Sequence, residues 1–163
     1  NDPEVTLVTY FADCTPIFFL DPNKKVVALA HAGWRGTIDQ ISKNVIDKMK
    51  NEFKSDAKDI ICGVGPAIGQ CCFEVDEEVC QKFKKLEKEV GGQFIENSSI
   101  DGKYMIDLLE ANKKILMHNG VKEENISVSD LCTKCNSDLL ISHRQTNGKR
   151  GTMVAMIQIK REV

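Results

Sequence analysis

The stretch Lys25-Val26-Val27-Ala28-Leu29-Ala30-His31-Ala32-Gly33-Trp34-Arg35-Gly36-Thr37 decides how the chain is read. Its first six residues form a short apolar run of the kind shown by a strand covered on both faces. His31 falls at the end of that run, a turn with two glycines follows, and a helix is expected to start at Thr37. Backbone N–H groups at such a helix start point outward and favour an anion. Gly36 permits close approach of a ligand to the backbone. Arg35 adds a guanidinium fork suited to phosphate or carboxylate. A packed turn holding a core histidine and a surface arginine is the plainer reading of the same residues, and the Gly-Trp-Arg-Gly context favours the functional one.

Working outward, β-rich runs are expected at residues 5–10, 16–20, 25–30, 59–64, 126–129, 138–142 and 152–160. Three helices separate them. The first carries Ile38, Ile41, Val45 and Met49 at helical spacing, with Thr37 and Gln40 as a capping box. The second spans about 76–90, with Val79, Phe83 and Leu86 inward and Lys82, Lys84, Lys85 and Lys88 outward. The third runs from about 105 to 118 and stops at Asn119-Gly120. Some strands are joined by short turns and others across helices, so the expected fold class is α+β with a mixed sheet.

The 163 residues carry no linker-like composition shift, repeat or low-complexity segment, and one domain over 1–163 is expected. Hydrophobic residues at 42% and charged residues at 28% exclude a disordered or fibrous chain. The 22 basic residues nearly balance the 24 acidic ones, which leaves no electrostatic case for nucleic acid or an anionic membrane as partner. No apolar run approaches the roughly 18–20 residues that span a bilayer. Seven cysteines without a secretory signal suit reduced thiols and a cytoplasmic setting better than a disulfide framework. The chain opens at Asn1 and enters a strand almost at once, as a piece of a longer protein would.

Several short segments carry potential chemistry. In Phe11-Ala12-Asp13-Cys14-Thr15-Pro16 a carboxylate and a thiol meet a strand junction, 17 residues before His31. Cys14 and His31 together suit either zinc or a Cys–His nucleophilic pair, and spacing does not separate the two. Gly63-Val64-Gly65-Pro66-Ala67-Ile68-Gly69 has the wrong glycine spacing for a dinucleotide fingerprint and reads as a turn delivering Cys71-Cys72-Phe73-Glu74 beside a site. The vicinal cysteines are expected to be thiols. Cys132-Thr133-Lys134-Cys135 lacks a second CxxC at suitable spacing, which disfavours a metal or redox role. Ser142-His143-Arg144 places a hydroxyl, an imidazole and a guanidinium at another expected strand end, before the turn 147–151. His118 reads as a partner of its helix's C-terminal dipole.

In this order, the blocks Ala12-Asp13-Cys14-Thr15-Pro16, His31-Ala32-Gly33-Trp34-Arg35-Gly36-Thr37, Gly65-Pro66-Ala67-Ile68-Gly69, Cys71-Cys72-Phe73-Glu74-Val75, Cys132-Thr133 and Ser142-His143-Arg144 resemble the YfiH-like family, also called the laccase-domain or polyphenol-oxidase family. The resemblance covers essentially the whole chain, and its His-Ala-Gly-Trp-Arg-Gly block is highly specific. It implies a YfiH-like fold lacking its N-terminal part, and a zinc held by two histidines and a cysteine. By position Cys14 and His31 are two of those ligands. The family's other histidine precedes the Ala-Asp-Cys block, and no counterpart stands in this sequence.

The resemblance further implies phosphorolysis of adenosine, inosine, guanosine and methylthioadenosine, together with hydrolytic deamination of adenosine. A purine nucleoside and phosphate are the implied partners. On that basis Arg35 and the Gly36–Thr37 helix start are assigned to the anion, and Asp13 to supporting the metal or moving a proton. Ser142, His143 and Arg144 are assigned to the nucleoside pocket. Copper oxidation of polyphenols would need more than the three histidines present. A Cys–His hydrolase using Cys14 and His31, or a non-catalytic binding module, are the other readings.

Overall fold

A computed structural model describes residues 1–149 and 151–161; Arg150, in the turn expected at 147–151, lies outside them. The run at residues 25–30 is indeed a strand, but it is longer than the apolar run alone. Strand β3 (Val26–Ala32) pairs antiparallel with β2 (Thr15–Asp21), from Thr15 opposite Ala32 to Asp21 opposite Val26. Asp21 closes the turn between them, its Oδ1 accepting the N–H groups of Asn23 and Lys24 at 2.9 Å each. On its other side β2 pairs antiparallel with β4 (Ile61–Val64), and β4 pairs parallel with β8 (Ile126–Val128). The four-stranded order β3-β2-β4-β8 is the mixed sheet expected.

Two smaller sheets flank it. β1 (Thr6–Phe11) and β9 (Met153–Gln158) pair antiparallel from Thr6 opposite Gln158 to Phe11 opposite Met153. β5 (Glu74–Asp76), β7 (Lys103–Ile106) and β6 (Ile95–Asn97) form an antiparallel sheet in the order β5-β7-β6.

Five expectations are corrected. The first helix is two: α1 (Trp34–Ile38) and α2 (Ile41–Phe53), separated where Gln40 takes a left-handed φ of 51°. The Thr37–Gln40 capping box therefore does not form, because Thr37 is inside α1 and its N–H already donates to the Gly33 carbonyl at 2.8 Å. β3 is not buried on both faces, since only Val26, Ala30 and Ala32 are buried, and His31 stands exposed within the strand, opposite Pro16. The helix expected from 105 is α4 (Leu108–His118), because Met105 and Ile106 are taken up by β7 and the Asp107 carboxylate caps the Glu110 N–H at 2.9 Å. Residues 138–142 form no strand. The chain coils there about Asn136, whose carbonyl accepts from Leu139 and Leu140, and Leu139 is left 76% exposed.

The remaining helix, α3 (Glu77–Val90), falls where the sequence puts it, with Phe83 and Leu86 buried. The interior consists of two hydrophobic clusters. One gathers Ile17 and Phe19 of β2, Val26 and Ala30 of β3, Ile46 and Met49 of α2, and Leu109 and Leu116 of α4. The other gathers Ile68, Phe73, Phe83, Leu86, Phe94 and Ile106 with Leu108 and Ile115 of α4. Helix α4 thus gives residues to both. Its buried Asn112 donates to the Leu108 carbonyl at 2.8 Å and to Thr37 Oγ1 at 3.0 Å, tying α1 to α4. No helix among the described residues is long and apolar enough to cross a membrane.

Candidate active site

The junction from β3 into α1 opens on a cleft of about 500 Å³. This is within the range of sites for small organic ligands. Its reactive or charged lining is Asp13, Cys14, Arg35, Asp76, His143 and Arg144, two carboxylates beside two guanidinium groups, and Phe73, Val75, Val79 and Leu108 give it apolar surface. Both arginines are backed by aromatic rings. The Arg35 guanidinium carbon sits 4.2 Å from the centre of the Trp34 ring, and that of Arg144 sits 5.7 Å from the centre of Phe73. A planar cation stacked on a ring is less free to fold away, so both forks are held near the cleft.

Asp13 organises the wall. Its backbone is left-handed, with φ of 77°, a conformation that a short polar side chain tolerates. One carboxylate oxygen accepts from Thr133 Oγ1 at 2.6 Å, the other accepts the Arg144 N–H at 2.7 Å, and the Asp13 carbonyl accepts the Ile68 N–H at 2.9 Å. Three distant segments are gathered on this one residue. The Arg144 side chain then reaches the Glu74 carbonyl at 3.3 Å and the Cys72 carbonyl at 3.4 Å.

The other residues singled out by sequence are placed as follows. Ser142 is buried, and its Oγ accepts the Gln145 N–H at 3.1 Å, fixing the turn that presents His143 and Arg144. Gly36 sits within α1 against the His31 carbonyl, which a Cβ there would meet at 3.3 Å, so its smallness serves packing of α1 on β3. His31 faces β1, with Thr9 Oγ1 3.5 Å from its Nδ1. His118 ends α4, at the opposite end of that helix from Leu108, which lines the cleft.

Whether Cys14 and His31 suit one metal ion is tested by Gly33. A Cβ at Gly33 would lie 2.9 Å from Cys14 Sγ, so the sulfur occupies the hollow that the glycine leaves. Gly33 and His31 are two residues apart along β3 and its extension, and therefore face the same side. Thiolate and imidazole are a zinc-preferring donor pair, and Thr9 beside Nδ1 leaves Nε2 available. The two residues fit as part of a three-donor site. Among the described residues no third His, Cys, Asp or Glu completes a cluster with them.

A different cluster does exist. The Sγ atoms of Cys71, Cys72, Cys132 and Cys135 all lie within 4.8 Å of one another, a group able to hold a metal ion. The sequence reading missed it by seeking a second CxxC, when the second pair is the vicinal Cys71-Cys72. No disulfide joins any of the seven cysteines. Burial raises the Cys71 thiol to about 11 and also pushes Cys72 up. Burial opposes ionisation of Cys132 too, but donation from the Cys135 and Gly69 N–H groups and from neighbouring thiols brings it down to about 7. Cys62, inside β4, is raised by burial to about 12 and is an inert core thiol.

A strand–turn–helix junction opening on a cleft of small-molecule size, lined by a thiol, two ring-backed arginines, two carboxylates and apolar side chains, is the main feature of this α+β protein. The chain belongs to the YfiH-like family, described as multi-copper polyphenol oxidoreductase laccase, which it matches over residues 1–160. The purine nucleoside phosphorylase YlmD of Bacillus subtilis (strain 168) is 39% identical over 160 residues, 98% of this chain and 57% of that protein. The crystal structure of YlmD from Geobacillus stearothermophilus superposes with a TM-score of 0.93 at 36% identity, covering 98% of this chain and 59% of that one. The adenosine deaminase RL5 of an unknown prokaryotic organism is 38% identical over 134 residues, 82% of this chain and 50% of that protein. The chain thus spans between 50% and 59% of the length of these three relatives. Copper is named in the family description, yet no histidine belongs to a cluster of three or more metal-ligating residues among the described residues.

Proposed function

We propose that this chain carries the cleft of a zinc-dependent purine nucleoside phosphorylase, in one domain over residues 1–163, acting in the cytoplasm on adenosine, inosine, guanosine and methylthioadenosine. The observation that carries the reading is the cleft itself, which puts two ring-backed arginines and Cys14 together with the apolar side chains of Phe73, Val75, Val79 and Leu108. A nucleoside with phosphate has that division of character, a flat apolar base and a compact anion. The names of the relatives in Bacillus subtilis and Geobacillus stearothermophilus support it.

Cys14 and His31 would hold the zinc. A zinc ion with an open position supplies a Lewis acid and a bound water whose pKa falls to about 7. Arg35 holds the phosphate by paired N–H donors, a charge-assisted geometry. Phosphorolysis then forms a bond from a phosphate oxygen to the ribose C1′ and breaks the C1′–N bond, whose electron pair leaves with the purine. Phe73, Val75, Val79 and Leu108 cover the purine, and His143 with Arg144 closes over the nucleoside. Asp13 and Ser142 are positioning residues, since both act by fixing the turn that carries Arg144. Gly36 keeps α1 close enough to β3 for Arg35 to face the cleft.

Deamination of adenosine at the same site is a second reading, favoured by the name of the relative RL5. The two activities separate by phosphate, because ribose 1-phosphate forms only in its presence while ammonia release does not require it. The test is steady-state kinetics of purine release with phosphate varied, for the native chain and Arg35→Ala. Losing a charge-assisted pair of hydrogen bonds costs about 1.5–3 kcal/mol, so the phosphate KM is expected to rise about 10- to 100-fold. Full phosphorolysis at an unchanged phosphate KM removes Arg35 from this role.

A further inference from the structure

We propose that Cys71, Cys72, Cys132 and Cys135 form a second metal site, a structural tetrathiolate zinc distinct from the Cys14–His31 position, which clamps the two loops behind the cleft. Four thiolates around a tetrahedral zinc at about 2.3 Å stand about 3.8 Å from one another. Here Sγ of Cys71 is 3.7 Å from those of Cys72 and Cys135, and Sγ of Cys72 is 3.5 Å from that of Cys135. Three edges of the required tetrahedron are thus already drawn, and Cys132 lies within the same small group. The four sulfurs are too close for a polynuclear iron–sulfur cluster, whose thiolates sit on different irons.

The backbone around the cluster is arranged as a ligand cradle. Cys132 and Cys135 are three residues apart, and the Asn136 N–H donates to the Cys132 carbonyl at 3.0 Å, closing a tight turn that aims both sulfurs one way. The Asn136 side-chain amide donates to the same carbonyl at 2.8 Å. Across from it, the Gly69 carbonyl accepts the N–H groups of Cys72 and Phe73, at 2.9 and 3.0 Å, turning the vicinal pair toward the CxxC. The Gly69 N–H donates to Cys132 Sγ at 3.2 Å, a bond that supports a metal-bound thiolate. A side chain there would crowd the cluster, since a Cβ would stand 3.1 Å from Cys132 Cβ and 3.4 Å from both Cys71 Sγ and Cys132 Sγ. Cys71 and Cys135 are exposed, which leaves an entry path for the ion.

The clamp has a consequence for the cleft. Thr133, next to the ligand Cys132, is the donor that holds Asp13, and the carbonyl of the ligand Cys72 receives Arg144. Ile68 and Phe73, on either side of the 69–72 turn, line the cleft directly. A metal joining the two loops therefore fixes the wall on which Arg144 rests.

The chain of residues 1–163 carrying Cys14→Ser and His31→Ala isolates this site from the other. Purified reduced, it is expected to retain about one zinc per chain by elemental mass spectrometry, with a zinc-edge X-ray absorption spectrum fitted by four sulfurs at about 2.3 Å. Adding Cys135→Ser is expected to remove that zinc and to lower the thermal midpoint. Should that variant fail to fold, Co²⁺ titrated into the zinc-stripped chain carrying Cys14→Ser and His31→Ala reads the same site through its sulfur-to-cobalt charge-transfer bands. Zinc absent from the Cys14/His31 variant, nitrogen or oxygen ligands in its spectrum, iron in place of zinc, or Co²⁺ bands lacking the intensity of four thiolates would each overturn the proposal. None of these outcomes bears on the phosphate KM of Arg35→Ala, so the two readings stand or fall separately.

Discussion

Gly33 is where a single missing carbon shapes the cleft. Cys14 Sγ fills the space a Cβ would take, at 2.9 Å from its ideal position. In Gly33→Ala the sulfur must rotate away, and because a cysteine side chain turns easily the fold loses little. The expected result is a thermal midpoint within a few degrees of native, about 1 kcal/mol or less, with zinc lost from the Cys14–His31 position. Metal content of Gly33→Ala beside its melting curve checks this, and an unchanged zinc content would show that the hollow at Gly33 does not set the position of Cys14 Sγ as a ligand. Sequence alone marked Cys14, His31, Arg35 and Arg144, because each sits in a short block of distinctive residue types. It gave no sign that Asp13 spends both carboxylate oxygens on Thr133 and Arg144, 120 and 131 residues away. Contacts of that separation leave no periodic trace in the chain. The cysteine cluster was half legible, since its two pairs are visible as pairs, but only the fold brings 71–72 against 132–135.

Among the elements, α2 shows how local signals compete. Apolar spacing is continuous through Ile38, Ile41 and Val45, so periodicity joins α1 to α2, and the break at Asp39-Gln40 is written in backbone conformation instead. Gln40 holds its left-handed position with a side-chain bond to Glu89 at 2.7 Å, a tertiary contact invisible to pattern reading. β5 and β6 were missed because three-residue strands carrying Glu, Asp or Asn fall below any alternation signal. The long runs at β1, β2, β3 and β9 were legible for the opposite reason. The C-terminal end of α2 offers a test of the same conformational physics. Lys54 sits at φ 59°, with its N–H donating to the Lys50 carbonyl and the Ser55 N–H to the Met49 carbonyl. A left-handed non-glycine residue costs about 1 kcal/mol, so Lys54→Gly is expected to raise the thermal midpoint by about 2–4 °C. Its side chain contributes only an exposed bond to the Asn51 carbonyl, and differential scanning calorimetry checks the sign.

For the molecule as a whole, the question is whether its two hydrophobic clusters behave as one. They are stitched by α4, which sends Leu109 and Leu116 to the first and Leu108 and Ile115 to the second, and by the Asn112–Thr37 bond between helices. The cleft wall belongs to the second cluster, since Phe73 and Leu108 are members and Val75 and Val79 pack on it. Phe83 lies at the centre of that cluster, fully buried, with its ring edge-on to Phe94 at 6.2 Å. Phe83→Ala is expected to cost about 3–5 kcal/mol, and Ile46→Ala in the first cluster about 2–5 kcal/mol. If α4 couples the two, each variant unfolds in one transition at a lowered denaturant midpoint, with fluorescence and circular dichroism coinciding. Their effects on binding should differ. Below both transitions, Phe83→Ala loosens the wall against which the purine would lie and is expected to raise the nucleoside KM several-fold. Ile46→Ala leaves that wall supported and is expected to keep the native KM. Two separate transitions in either variant would show the clusters to be independent units. Equal KM changes in both would show that the wall is held by the strands and α4 rather than by the packing of Phe83.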